Sequence, residues 1–321
     1  MPSIVAPKLR EKFVTITPES DDEGLLSLDE LTIRQLYKEY GALLFRGFEF
    51  NTGIFSSFTG RFCNGAAINA SRGREVVDEE NNIQTVNLGH VAFPLHPELA
   101  RVPWKPDVCF FSCLTPPLNG GETTICDGTQ IVQKLSSKMV KKLKTRQLLY
   151  RDLVSPQALK FWFGTDNPTE KELSNPPTNC PFIFQTMGSQ VISYFKTPFL
   201  HKTMFNSRLA FGSFLLFARW NGELNFCTYD NGAPVDDKTY ETIKKISDKL
   251  TIGIKWQKND VLMLDNTRFM HGRNKILDVK HRLILSYFGY LKFAKPSASE
   301  PGDVPWRTNE CNDFFYSMFQ S

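Results

Sequence analysis

Residues 251–293 read TIGIKWQKNDVLMLDNTRFMHGRNKILDVKHRLILSYFGYLKF. Three stretches of it, TIGIKWQ, DVLMLD and RLILSYFGYLKF, are short and rich in aliphatic and aromatic residues, with Asn, Asp and Gly between them. Such runs read as strands. Upstream, DVCFFSCL (107–114), ISYF (192–195), LLFARWN (215–221) and ELNFCTY (223–229) read the same way. Helical patterns are fewer. Many strands with few helices point to an antiparallel sandwich or barrel, a mainly β fold with flanking helices.

Working back to the N-terminus, LSLDELTIRQLYKEYG (26–41) places Leu28, Leu31, Ile33, Leu36 and Tyr37 near a helical period, with Gly41 as its stop. ALLFRGF (42–48) follows as a buried strand and TGIFSSFTGRFC (52–63) as a second helix. The polar stretch SRGREVVDEENN within 70–82 reads as an exposed loop or lid. The region from Gln84 to Phe93 reads as strand. DGTQIVQKLSSKMVKKLKT (127–145) reads as one amphipathic helix through Ile131, Leu135, Met139 and Leu143. FWFGTDNPTEKELSNPPT (161–178), in an insertion near 155–180, reads as a loop over the sheet, and VDDKTYETIKKISDKL (235–250) as a helix. With no repeat and no linker, residues 1–321 form a single domain in this reading.

Composition narrows the function. The 38 basic and 34 acidic residues leave a net charge of +4 and are mixed along the chain, without the basic stripe that nucleic acid requires. No run approaches the roughly 18 apolar residues of a membrane span, and the N-terminus lacks a secretory core, so a cytoplasmic location is expected. The seven cysteines are scattered, with no CxxC pair, and should be reduced. On a strand, Cys109 and Cys113 fall on one face, as buried apolar side chains.

Among the five histidines, His96 lies in FPLHPELA and His271 in LDNTRFMHGRNK. In extended chain, residues two apart project to one side, so the His96 imidazole and the Glu98 carboxylate can converge on one metal ion. A distant strand then supplies His271. Two imidazoles and a carboxylate form the facial triad of non-haem ferrous oxygenases, and zinc hydrolases use the same donors. The spacing leaves both open.

The run from His96 to Asp127, HPELARVPWKPDVCFFSCLTPPLNGGETTICD, resembles the taurine dioxygenase superfamily, which pairs H-x-D/E with a downstream GG-D/E-T, here Gly120, Gly121, Glu122 and Thr123. WQKNDVLMLDNTRFMHGR resembles that family's later strand, DN pair and distal histidine, and DELTIRQLYKEYGALLFRGFEF its entry helix and first core strand. The resemblance spans nearly the whole chain and is weakest between about Arg151 and Ser207. It implies a double-stranded β-helix of the jelly-roll or cupin kind and an iron(II)- and 2-oxoglutarate-dependent oxygenase with O2 as oxidant. By the same resemblance His96, Glu98 and His271 are the catalytic metal ligands, while Thr123 and Arg282 hold the distal carboxylate of 2-oxoglutarate.

Two departures bear on the reaction. Where taurine-type enzymes carry a second arginine beyond the keto-acid arginine this chain has Ser286, which disfavours taurine. Related halogenases carry a small residue where this chain has Glu98, which disfavours halogenation. The resemblance implies a small polar substrate, an amino acid or derivative, free or on a carrier protein, oxidised by hydroxylation first and by desaturation or cyclisation second. Asn87, His90 and Arg273 are candidate substrate contacts, Arg273 with a buried ion pair to Asp265 or another acid as its alternative. His201 and His281 are structural in this reading. A catalytically silent binding protein and a zinc hydrolase are the competing functions, and the oligomeric state is left open.

Overall fold

A computed structural model describes residues 2–7, 12–278, 282–297, 300–302, 304–308, 311 and 314. His281 lies outside the described residues. A large sheet of nine strands runs, from one edge, Ser3–Val5, Val14–Thr17, Ala42–Phe45, Asp260–Asp265, Val108–Thr115, Leu283–Leu291, Ile83–Thr85 and Val76–Asp78, with Cys63–Ala66 also paired to Leu283–Leu291. Facing it is a four-stranded sheet in the order Ile252–Ile254, Thr123–Asp127, Phe269–Arg273, Phe93–His96, antiparallel throughout. Together they make the mainly β, jelly-roll body expected from the sequence.

Alternation along the strands explains why they read as unbroken apolar runs. Cys109, Phe111 and Cys113 turn inward with Leu262, Leu264, Ile284, Phe288, Ile125 and Ile254 into the core between the sheets. Their neighbours Val108, Phe110, Val261, Met263 and Leu285 point outward under the helices Glu30–Tyr40 and Thr52–Phe62. On the far side, Cys126 and Met270 of the small sheet pack with Ile131, Leu143 and Ile243 of three further helices. A sheet covered on both faces needs apolar residues on both. Each fully buried Phe or Leu contributes roughly 1.5–3 kcal/mol relative to exposure. All seven cysteines are buried, and none is joined in a disulfide.

The early helix forms as read: Asp29 accepts from Thr32 N at its start, and Gly41 ends it at φ 73. Leu31, placed on its apolar face by the pattern, is 66% exposed. The 127–145 segment is two helices, Gly128–Lys134 and Ser137–Lys144, because Ser136 takes extended geometry and caps the second through Met139 N. LLFARWN is the helix Leu215–Trp220 and not a strand. The 155–180 insertion holds two helices rather than a loop: Pro156–Phe163, capped by Ser155, and Glu170–Ser174, with a Thr169–Glu172 capping box. A third sheet, Phe182–Met187, Gln190–Pro198, Gln147–Leu153 and Cys227–Tyr229, stands beside them. Within the expected 70–82 loop, Val76–Asp78 pairs with Ile83–Thr85 as an edge hairpin, and between that hairpin and Phe93 the chain is not strand. Among the described residues, no helix is long and apolar enough to cross a membrane.

Candidate metal centre

The small sheet brings the two histidines together. Antiparallel register sets His271 directly opposite His96, with ring centroids 4.7 Å apart. Directly opposed side chains share a face of the sheet, and this face looks into the space between the two sheets. Glu98, just past the end of its strand, is 1% exposed, and its Oε2 lies 3.4 Å from His271 Nε2. One donor atom from each of the three lies within 4.8 Å of the others. Bonds of about 2.0–2.2 Å place adjacent ligands of one ion roughly 3 Å apart, so modest side-chain movements would bring all three donors onto a single divalent ion.

Hydrogen bonds hold these donors in place. His96 Nδ1 lies 2.9 Å from the Pro94 carbonyl, so that nitrogen carries the proton and Nε2 keeps its lone pair for a metal. Asn266 clamps Glu98: its Oδ1 accepts from Glu98 N at 2.8 Å, and its Nδ2 donates to the carbonyls of Glu98 and Pro106 at 3.0 and 2.8 Å. The carboxylate itself accepts from Asn69 Nδ2 and meets Arg74 at 3.4 Å. Burial, seconded by His271, drives the His96 pKa down to about 4 and keeps the ring neutral. Burial alone would raise the Glu98 carboxyl, but Arg74 and the two histidines outweigh it and hold the pKa at about 2. A neutral imidazole beside an ionised carboxylate is the protonation state a metal needs.

The other wall of the site is cationic. Gly120 and Gly121 turn with φ +67 and +71, and a Cβ on Gly120 would stand 2.3 Å from the Lys275 carbonyl. This tight turn delivers Thr123 to the small sheet and lets Arg282 Nε donate to the Gly121 carbonyl at 3.3 Å. Thr123 Oγ1 accepts from Trp256 Nε1 at 3.1 Å, which leaves its own O–H free to donate. Arg273, paired in register with Thr123, donates to the carbonyls of Asn87 and Val91, the latter at 2.8 Å, and its Nε is buried without a partner. Among the described residues neither Arg282 nor Arg273 has an acid partner, so Arg273 makes no ion pair with Asp265, which accepts from Thr267 instead. Burial first, and a neighbouring guanidinium second, lower both arginines to about 10.

His96, Glu98, His271, Thr123, Arg282, Arg273 and Asn87 all line one cavity of about 380 Å³. His90 does not: it is exposed, and its carbonyl accepts from Ile276 N. Asn87 spends its amide on the Arg72 carbonyl and on Gly89 N, shaping the loop that Arg273 braces. His201, outside the cavity, holds the Thr267 carbonyl at 2.7 Å. The sequence reading missed Asn69 and Arg74. Arg74 reaches in from the segment read as an exposed loop, and its NH1 donates to Ser286 Oγ at 3.2 Å. A guanidinium thus stands beside Ser286 after all, carried by a different element.

Residues 11–286 match the family model described as Taurine catabolism dioxygenase TauD, TfdA family. A clavaminate synthase-like protein of Arabidopsis thaliana is 24% identical over 282 residues, covering 78% of this chain and 82% of that one. PvcB from Pseudomonas aeruginosa superposes with a TM-score of 0.59 at 11% identity, over 90% of this chain and 91% of its own. A taurine dioxygenase from Burkholderia xenovorans superposes with a TM-score of 0.59 at 12% identity, over 90% of each chain. At these identities the superpositions speak for the fold.

Proposed function

Because the chain belongs to the TauD, TfdA dioxygenase family, the non-haem iron enzymes that use 2-oxoglutarate and O2, we propose that His96, Glu98 and His271 are its iron(II) ligands. Arg282 and Thr123 hold the distal carboxylate of 2-oxoglutarate, and a C–H bond of a small acidic substrate is oxidised beside them. Residues 1–321 form one domain built around this site. The observation that carries the reading is the meeting, in one cavity, of three convergent donors and a largely desolvated guanidinium that has no acid partner among the described residues. A buried cation of that kind costs several kcal/mol unless an anion joins it. A planar guanidinium grips a carboxylate through two parallel bonds, which fixes its orientation as well as its charge.

Bound iron and keto acid supply the oxidising power, and the protein supplies position and exclusion of water. Asn266 fixes the backbone that carries Glu98, Pro94 fixes the ring of His96, and Trp256 fixes the hydroxyl of Thr123. Five arginines, 72, 74, 101, 273 and 282, line the cavity against the carboxylates of Glu98 and Glu223. An iron(II) ion and a 2-oxoglutarate dianion cancel each other, so the surplus positive charge favours an anionic substrate, such as an amino acid derivative. Hydroxylation is the expected outcome. Glu98 fills the position that halogenation needs empty.

The test is anaerobic reconstitution. Ferrous iron with 2-oxoglutarate should give a visible charge-transfer band, and in air the protein should form succinate. His96→Ala should lose both. A folded wild-type protein that binds zinc but gives neither band nor succinate overturns the proposal.

A further inference from the structure

A second cavity, of about 240 Å³, lies against the metal cavity and shares with it the wall residues Asn69, Ser71, Leu99, Arg101 and Phe226. Its remaining lining is mostly apolar and rich in rings, among them Trp104, Tyr150, Trp162, Phe182, Phe184 and Phe195. Polar groups there are occupied locally. Ser155 caps a helix through Ala158 N, Ser193 faces the Asp152 carbonyl at 3.5 Å, and Tyr150 Oη accepts from Phe214 N at 3.1 Å. At one end Phe314 stacks on Phe161, with centroids 4.3 Å apart. An apolar cavity of roughly 150 Å³ takes a benzene-sized ring, so this chamber holds a ring with a short chain.

Aromatic contacts connect the chamber to the metal ligands. Phe214 meets the His96 ring at 5.7 Å and Phe226 at 6.1 Å, and Phe226 meets Tyr150, in the chamber wall, at 6.1 Å. The partition contains Arg101, whose guanidinium sits 5.5 Å from the Phe226 ring and pairs with Asp152 at 3.0 Å. Both partners are substantially exposed, at 37% and 55%. An exposed ion pair contributes little, about 0–1 kcal/mol, so a ligand can displace it cheaply. About half of the chamber's lining, from Tyr150 to Phe195, comes from a stretch that contributes nothing to the wall of the metal cavity.

We propose that this chamber is the substrate's second subsite: the substrate is an aryl-bearing carboxylic acid whose charged end lies among the arginines of the metal cavity and whose ring lies between Trp104 and Trp162. The assignment rests on the oxygenase reading above, and sharpens it from a small acid to an amphiphilic one. The shared wall is what ties the chamber to the substrate, because a molecule held by the arginines of the metal cavity has this chamber directly beside it.

The probes are 5-phenylpentanoate and its ring-free counterpart hexanoate, titrated calorimetrically into the full chain without iron or keto acid. The phenyl acid should bind at least tenfold tighter, and its ring protons should show nuclear Overhauser contacts to the Trp104 and Trp162 indoles. Ala158→Phe, which fills the chamber, should weaken the phenyl acid at least tenfold and leave both hexanoate binding and the ferrous 2-oxoglutarate band unchanged. Equal affinity for the two acids, absence of the indole contacts in the wild type, or full affinity in a well-folded Ala158→Phe protein overturns the proposal. Because binding is read without metal, a missing ferrous band would refute the oxygenase reading and leave the chamber result to stand.

Discussion

Replacing Arg282 by leucine should move binding and stability in opposite directions. The side chain is half-buried, makes one long hydrogen bond to the Gly121 carbonyl at 3.3 Å, and has no acid partner among the described residues. With 2-oxoglutarate bound it would form a desolvated bidentate pair, and truncating one partner of such a pair costs about 2–5 kcal/mol. At 1.4 kcal/mol per tenfold, that is roughly a 30- to 3,000-fold loss of 2-oxoglutarate affinity. Without ligand, the same substitution removes a partly desolvated cation that no acid among the described residues neutralises. Exchanging buried ionic groups for apolar ones of similar size is often neutral or stabilising by about 1–4 kcal/mol, so Tm should hold or rise. The assays are an anaerobic titration of the ferrous protein followed by its charge-transfer band, and thermal unfolding of the unliganded protein. A shift in 2-oxoglutarate affinity below threefold, or an equal loss for the substrate, would refute the reasoning. So would a fall in Tm by several degrees, which would mean that the guanidinium is part of the resting structure and not a waiting partner.

Three other outcomes follow from the same geometry. Asn266→Ala strips three hydrogen bonds from the Glu98 and Pro106 backbone and should cost on the order of 3 kcal/mol in denaturant unfolding, with weaker iron binding; an unchanged midpoint counts against the clamp. Gly121→Ala puts a Cβ 3.0 Å from Ile276 at φ +71 and should cost about 1–3 kcal/mol, and Gly120→Ala should be worse because its obstacle is backbone, an order that paired melts would check. His201 has its pKa lowered from 6.5 to about 4, chiefly by burial. The unfolded chain therefore takes up a proton between those values that the folded one refuses, and stability is lost as pH falls through that window. His201→Gln should reduce the slope there by up to about 1.4 kcal/mol per pH unit, and an unaltered slope would show that His201 is not the group responsible.

How much of this was legible in the sequence depends on whether the signal was local. The helix Glu30–Tyr40 announced itself through Asp29, its period and Gly41, and the strands of the central sheet through apolar runs dense enough to cover two faces. LLFARWN misled because five apolar residues in so short a run have no measurable period, and its helical form is set by packing of Leu215, Leu216 and Ala218 into the core beside the small sheet. The 155–180 helices did carry signals, Ser155 before Pro156 and Thr169 before Glu172, which the Pro- and Asn-rich composition hid. The residues of the candidate metal centre divide the same way. His96, Glu98 and His271 stood out by motif, whereas Arg74 had no mark distinguishing it from the charges around it. Its position depends on the Val76–Asp78 hairpin folding back along the sheet edge, a contact that no window of sequence contains.

The opposition of His96 and His271 across two strands carries a consequence for handling the protein. Slipping one strand by a single residue sends every side chain to the other face, so His271 would turn away from the site while the backbone ladder stayed nearly intact. Ordinary spectroscopic signatures of β structure would scarcely notice. The ferrous iron retained per chain therefore serves as a gauge of correct zippering: a refolded batch that melts normally but loads substoichiometric metal contains misaligned molecules.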